Sequence, residues 1–347
     1  LIRKILPDII SVTISVLMTL LIACIFLLIL GKDPVIVISK MFTEVFGTGY
    51  GIGQTIFKTT PLIICGCGLA LCFHASIFNI GAEGQINIGA FIMALTVFKL
   101  DDYLGYLAFP VAVLTGFTAS ALWGYIPAII KVKREVSEVI TTIMLNFIAF
   151  AIVNYMLLEY FAVKSTVRTP EIVNMLFLPK LSDFLPFLQG SSANFTFILA
   201  LFLAVVLYLI IYKTIYGYRI RSVGINPVAS KYLGLNINRI YVLSFVIGAG
   251  ITSLVGINFI FGYKGYYELG FSNNLGFTAI AVSLLAKNNP IGIIFSAFLF
   301  GILDFGGLAV NNMVPKELML VLQALVILSI LFTDKLVNKY IIKKANA

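Results

Sequence analysis

The sequence predicts an all-α integral membrane protein, and three observations carry that expectation. Sixty per cent of the 347 residues are hydrophobic and only 11% are charged, whereas a soluble domain carries roughly 25% charged residues. Mean hydropathy is +1.05, too high for a chain that faces water all round. The apolar residues also gather into runs near the ~20 residues that cross a bilayer as helix. A formal charge of +9 would suggest nucleic acid for a soluble protein. Here basic cytoplasmic loops are the simpler source, so the expected surroundings are a lipid bilayer and no nucleic acid.

Ten runs qualify as spanning helices: roughly 9–31, 59–78, 86–99, 104–130, 137–160, 194–213, 239–262, 276–286, 289–309 and 318–334. The first follows basic residues, as a signal peptide would, but Ile9 to Gly31 is too long for an h-region and lacks a small-residue cleavage site. The third and eighth are too short to cross alone, and both abut glycine-rich polar stretches. Ten crossings with an inside N-terminus put fifteen of the 24 Lys and Arg residues inside. Two segments decide the orientation: "KVKRE" at 131–135, and 212–239, with five basic residues and no acid. Both termini are then cytoplasmic. The longest external loop, about 161–193, has three prolines and mixed charge and suits an ordered loop. No linker breaks the chain, so residues 1–347 are expected to form one polytopic domain.

Against this background "FNIGAEGQINIGAF" (78–91) stands out. Bare backbone and ionisable groups at membrane depth survive only inside protein or beside a watery cavity. Gly81, Gly84 and Gly89 permit sharp turning and close helix approach. Asn79, Glu83, Gln85 and Asn87 can bond the backbone groups such a break frees. Two readings stay open: a cytoplasmic-side turn with Glu83 near water, or a broken re-entrant element lining a conduit. Neither makes Glu83 a catalyst. A faint repeat links "GAEGQINIGAFIMAL" (81–95) with "GFSNNLGFTAIAVSL" (270–284). In the ten-span topology the copies face opposite sides, as inverted repeats would, with a substrate path at their interface.

A second polar stretch, "YRIRSVGINPVASKYLGLN" (218–236), carries helix punctuation. Asn226 suits an N-cap, Pro227 the first helical position and Gly234 the C-terminal stop. The product is a helix of about seven residues beside Arg219, Arg221 and Lys231, either a surface loop or a docking element for a cytoplasmic partner.

These segments together resemble the permease subunit of a bacterial ABC importer of the branched-chain amino acid, ribose and nucleoside superfamily. The resemblance is carried by "FNIGAEGQINIGAF", "REVSEVITTIMLNFIA" (134–149), "GINPVASKYLG" (224–234) and "LGFTAIAVSLLAKNNPIGI" (275–293). They stand in the family's order and spacing across nearly the whole chain, and "EVITTIMLN" with "FNIGAEGQ" is most similar to the nucleoside-type permeases. The resemblance implies a type II importer arrangement of about ten helices in two inverted halves. It implies a coupling helix within the loop at about 213–238, carried by Gly224, Asn226, Pro227, Ala229, Ser230, Tyr232 and Gly234. It further implies a bacterial cell-membrane location, a second and different permease subunit, a cytoplasmic ABC ATPase that binds ATP and Mg, and an external substrate-binding lipoprotein. No cofactor is expected in this chain, nor any enzymatic role.

Other motifs carry less. "CGCGLALCFH" (65–74) resembles a metal run, but on a helix Cys65 and Cys67 face apart and His74 shares no face with Cys72. "GTGYGIG" (47–53) is glycine-rich, lies outside the expected spans and follows no strand. No GxxxxGK[ST] occurs, so the chain has no P-loop of its own. Asp304 is the most isolated acid in an apolar run; it is a proton or substrate site, or is paired with a neighbouring polar group. Asn146 and Asn258 line a path or make interhelical bonds. Besides the nucleoside importer, two readings remain: a ribose- or galactose-type ABC permease, and an ion-coupled transporter using Glu83 or Asp304.

Overall fold

The computed structural model describes Met18 and residues 21–337. All the regular structure is helical: α1 Leu21–Ile29, α2 Pro34–Phe46, α3 Gly49–His74, α4 Ala82–Leu104, α5 Ala108–Arg134, α6 Glu138–Met156, α7 Thr196–Lys213, α8 Ile215–Ile225, α9 Pro227–Tyr232, α10 Ile237–Ser253, α11 Leu275–Leu285, α12 Pro290–Ala309 and α13 Lys316–Val337. π-helical turns extend α6 through Leu157–Phe161 and follow α10 at Ile257–Lys264.

Six stretches of the described chain are long and apolar enough to cross a membrane, or seven if the bent pair α1–α2 counts as one. That is fewer than ten, and the reasons are physical. The expected spans at 86–99 and 104–130 lie in one apolar stretch, Ala82–Arg134, which Gly105 (φ +52°) breaks into two helices. The expected span at 276–286 is an 11-residue helix, about 16 Å long. Most of 9–31 lies outside the described residues. The span expected from 59 starts at Gly49, so "GTGYGIG" is largely the first turn of a spanning helix. Helix α2 was not expected, although Asp33 and Pro34 announce it: the Asp33 carboxylate accepts from Val35 N at 2.8 Å.

The chain forms two compact units. The first, Leu1–Thr55 with Leu299–Ala347, has a described core of Ala23, Leu27, Val37, Val310, Val314, Met319 and Leu322. The second is Ile56–Phe298. Its centre is the α4–α5 hairpin, in which Thr115 Oγ1 donates to Thr96 Oγ1 at 2.9 Å. A Cβ on Gly116 would lie 2.8 Å from the Gly89 carbonyl oxygen, so backbone packs on backbone, as membrane helices do through small residues. Ser120 Oγ then ties α5 to α10 by donating to Ala249 O at 2.6 Å.

The loop 162–193 is ordered by backbone bonds to the second π-turn and the stretch after it. Thr169 N donates to Tyr267 O at 2.9 Å, Ile172 N to Gly265 O at 2.8 Å and Leu178 N to Phe261 O at 2.8 Å.

Candidate functional site

The polar insertion is a break inside the second unit. After His74 the chain turns at Ser76 (φ +59°) and runs without helix to Gly81 before α4 begins. The level of that start follows from Asn146, eight residues past the start of α6 at Glu138, or about 12 Å along its axis. Asn146 Nδ2 donates to Ile80 O at 2.9 Å and its Oδ1 accepts from Gly84 N at 2.8 Å. One side chain from α6 thus satisfies backbone on both sides of the break, where no water would. Asn79 and Gln85 pair amide to amide at 3.0 and 3.2 Å, and Asn79 Oδ1 also accepts from Gly81 N at 2.9 Å.

A second break meets the first. Beyond Lys264 the chain turns back inward through 265–274, passes Asn273 (φ +42°) and Asn274 (φ +64°), and starts α11. Glu83 receives this turn. Its Oε1 accepts from Ser272 Oγ at 2.6 Å and Asn274 N at 3.1 Å, and its Oε2 from Gly276 N at 2.6 Å. Asn87, one turn along α4, donates to Ser272 Oγ at 2.9 Å and accepts from Tyr267 OH at 2.9 Å. Both helices therefore begin at one carboxylate, with their positive dipole ends close to it. A Cβ on Gly276 would stand 2.5 Å from Glu83 N, so only glycine lets the two starts approach. These are the two stretches that resemble each other in sequence, in direct contact.

Asn79, Glu83, Gln85 and Asn87 are 0–1% exposed, so Glu83 is not at a water-facing turn. Asn258 is also buried; it accepts from Asn194 Nδ2 at 3.0 Å and donates to Phe57 O at 3.4 Å. Asp304 sits half-buried on α12, in the first unit, and has an interaction partner. Cys65, Cys67 and Cys72 are buried along α3. Ser272 and Gly276 lay within the repeated stretch but were not singled out, and Asn194 carried no signal at all.

The far end of α11 leads to the other polar stretch. His74 Nε2–H donates to Asn288 O at 2.9 Å, and Asn288 Oδ1 accepts from Ser283 Oγ at 3.2 Å. Helix α8 packs on the same point: a Cβ on Gly224 would lie 2.1 Å from the His74 carbonyl oxygen. Arg221 lies 5.1 Å from the Tyr212 ring and donates to Ile211 O at 3.1 Å. Helix α9 then follows, with Asn226 Oδ1 accepting from Ala229 N at 3.0 Å, Pro227 first, and Gly234 (φ +78°) just beyond its end. It has six residues rather than seven. Helix α8 itself was not expected; Thr214 caps it by accepting from Gly217 N at 3.2 Å. Ile225 (85%), Val228, Tyr232 (89%) and Leu233 are exposed, whereas Ser230 is buried.

Apolar helices long enough to span, interrupted at a buried polar joint made by two similar segments, define a polytopic membrane protein of the transport kind. It also carries a short helix pair, α8 and α9, with Ile225, Val228, Tyr232 and Leu233 exposed. The chain belongs to the permease components of ABC importers: residues 51–331 match the family described as "Branched-chain amino acid transport system / permease component". It is 30% identical over 351 residues to the nucleoside ABC transporter permease protein NupB of Lactococcus lactis subsp. cremoris (strain MG1363), covering 99% of this chain and 95% of that protein. It is 32% identical to the guanosine ABC transporter permease protein NupP of Bacillus subtilis (strain 168), covering 91% and 90%. A glucose ABC transporter permease protein of Haloferax volcanii is 30% identical, covering 94% and 87%. The chain is thus a multi-pass transport subunit without catalytic activity of its own, of a kind that works with an ATPase and a substrate-binding protein.

Proposed function

We propose that this chain forms, with a second and different permease subunit, the path by which a bacterial cell membrane imports nucleosides. The observation that supports the substrate most is its 30–32% identity, over nearly the full length of each protein, to permeases for nucleosides and guanosine. The chain acts as one permease domain over 1–347, with about ten crossings in two inverted halves of the type II arrangement and both termini cytoplasmic. The basic segments 131–135 and 212–239 then face the cytoplasm. An external lipoprotein delivers the nucleoside and a cytoplasmic ATPase binds ATP and Mg.

Helix α9, with Gly224, Asn226, Pro227, Ala229, Ser230, Tyr232 and Gly234 as its frame, is the coupling element. The caps shape it, and the exposed Val228, Tyr232 and Leu233 fill a groove on the ATPase. Ser230 faces inward, so it supports the helix rather than touching the partner. On the permease side Asn79, Gly81, Glu83, Gly84, Gln85 and Asn87 hold the helix break beside the path, while Asn146 and Asn258 brace it. A glucose-type relative favours one second reading, a simple-sugar permease with the same mechanism.

The test is ATP hydrolysis by the reconstituted assembly in liposomes with its binding protein, given guanosine, uridine, ribose or no ligand. Stimulation by a nucleoside and not by ribose is expected; stimulation by ribose alone moves the cargo to sugars. In the same assembly Tyr232→Cys should cross-link to the ATPase and Ser230→Cys should not. An intact assembly in which Tyr232→Cys fails to cross-link removes α9 from the coupling role.

A further inference from the structure

The turn that Glu83 holds presents its other side outward. We propose that Asn273 and Asn274, with the rings of Phe259, Tyr263, Phe271 and Phe277, form the surface that contacts the nucleobase as it passes; this rests on the nucleoside reading above.

Depth comes first. The 11 residues of α11 separate the turn by about 16 Å from the His74–Asn288 contact, and the basic Arg221 and Lys287 beside it suit the cytoplasmic membrane edge of the topology proposed above. A hydrocarbon core is about 30 Å thick, so Asn273 and Asn274 lie near its middle. Their side chains are exposed and both residues are left-handed. Non-helical backbone carrying free amides cannot face lipid tails at that depth, so the turn faces a watery path or another protein.

The surroundings choose between these. Phe271 meets Phe259 edge to face at 5.2 Å, and Phe57 meets Phe259 at 5.6 Å and Tyr263 at 5.1 Å. Tyr267 backs Phe271 at 5.2 Å. Phe57 and Tyr267 are buried, Phe259 and Phe271 half-buried, and Tyr263 and Phe277 exposed at 46% and 42%. The linked rings have a buried back and an open front, and Phe271 leads within three residues to the two exposed amides, with Phe277 exposed in the first turn of α11. A nucleobase is flat and aromatic, with donors and acceptors along one edge. Rings accept its face whatever the base, and an asparagine amide both donates and accepts. The nearby charges, Lys264 and Glu268, pair with each other, so the surface offers nothing to a bare ion. Three hydrogen bonds from the turn to buried Glu83 fix the amides in place, as a contact surface for a passing ligand needs.

The experiment uses the assembled transporter in proteoliposomes, with Cys24→Ser to remove the one half-buried native thiol; the other three are buried. Asn273→Cys is exposed to a charged, water-soluble maleimide. Labelling is expected, slowed about tenfold during turnover with guanosine. Asn273→Ala, which removes a base-edge contact, is then compared with wild type for guanosine and uridine uptake. A change of about fivefold or more in the guanosine-to-uridine ratio is expected, measured in complexes that assemble as wild type does. A transporting complex in which Asn273→Cys resists labelling means that protein or lipid covers the turn, and overturns the proposal. So does an equal fall in both nucleosides. If wild type imports no nucleoside at all, the functional reading fails first and the nucleobase contact falls with it.

Discussion

The two polar regions of this permease are built on opposite terms. At the Glu83 joint every named side chain is buried and bonded: Asn79, Glu83, Gln85 and Asn87 are 0–1% exposed, and the carboxylate accepts three hydrogen bonds. At the α8–α9 end Ile225 and Tyr232 are 85% and 89% exposed, and α9 is held mainly by its own caps. One region is finished within the chain; the other leaves an apolar face open, which the coupling role proposed above would fill with a partner. Damage at the joint should therefore cost stability, and damage at the helix pair should cost coupling alone.

That contrast can be broken most sharply at Glu83. Glu83→Gln keeps one acceptor oxygen but removes the charge and turns an amide donor against either Gly276 N or the pair Ser272 Oγ and Asn274 N. Hydrogen bonds to charged groups contribute about 1.5–3 kcal/mol each, so a loss of more than about 3 kcal/mol is expected. Thermal unfolding in detergent should show it, and an unchanged Tm would mean the joint holds nothing together. His74→Leu should come next. It leaves the Asn288 carbonyl unpaired at a cost of about 1–3 kcal/mol and cuts the side-chain link between α3, on which α8 packs, and the turn after α11. Nucleoside-stimulated ATP hydrolysis should fall well below wild type while the Tyr232→Cys cross-link persists; normal stimulation would confine His74 to packing. Asn226→Ala should matter least to the fold, with about 1 kcal/mol lost from one cap. Uptake should nevertheless drop, because α9 frays, and wild-type uptake would show that α9 need not be preformed.

The same contrast explains what was legible in the sequence. Breaks and caps are local events, so the glycines and amides of 78–91 and the Asn226, Pro227 and Gly234 of α9 announced themselves. Partners are not local. Nothing around Glu83 names Ser272 or Gly276, 189 and 193 residues away, although the resemblance between the two stretches was a trace of it. The inward face of Ser230 depends on how α9 sits against its neighbours, which six residues cannot disclose. Run length and helix length parted at 276–286, where α11 is only 11 residues long, whereas the expected break between 86–99 and 104–130 is the Gly105 turn between α4 and α5. Helices α2 and α8 were overlooked because their caps, Asp33 and Thr214, lie outside the apolar runs that drew attention.

The distance in sequence between Glu83 and its donors also has a meaning for biosynthesis. A ribosome adding about 5–20 residues per second reaches Gly276 roughly 10–40 s after Glu83. During that interval α4 to α10 are made, yet the carboxylate and Asn87 have none of the partners that 267–276 will supply. The nascent chain must leave this segment in contact with water or with the insertion machinery until α11 arrives. Membrane insertion of the first half is therefore provisional until a joint closes whose two sides were made roughly 10–40 s apart.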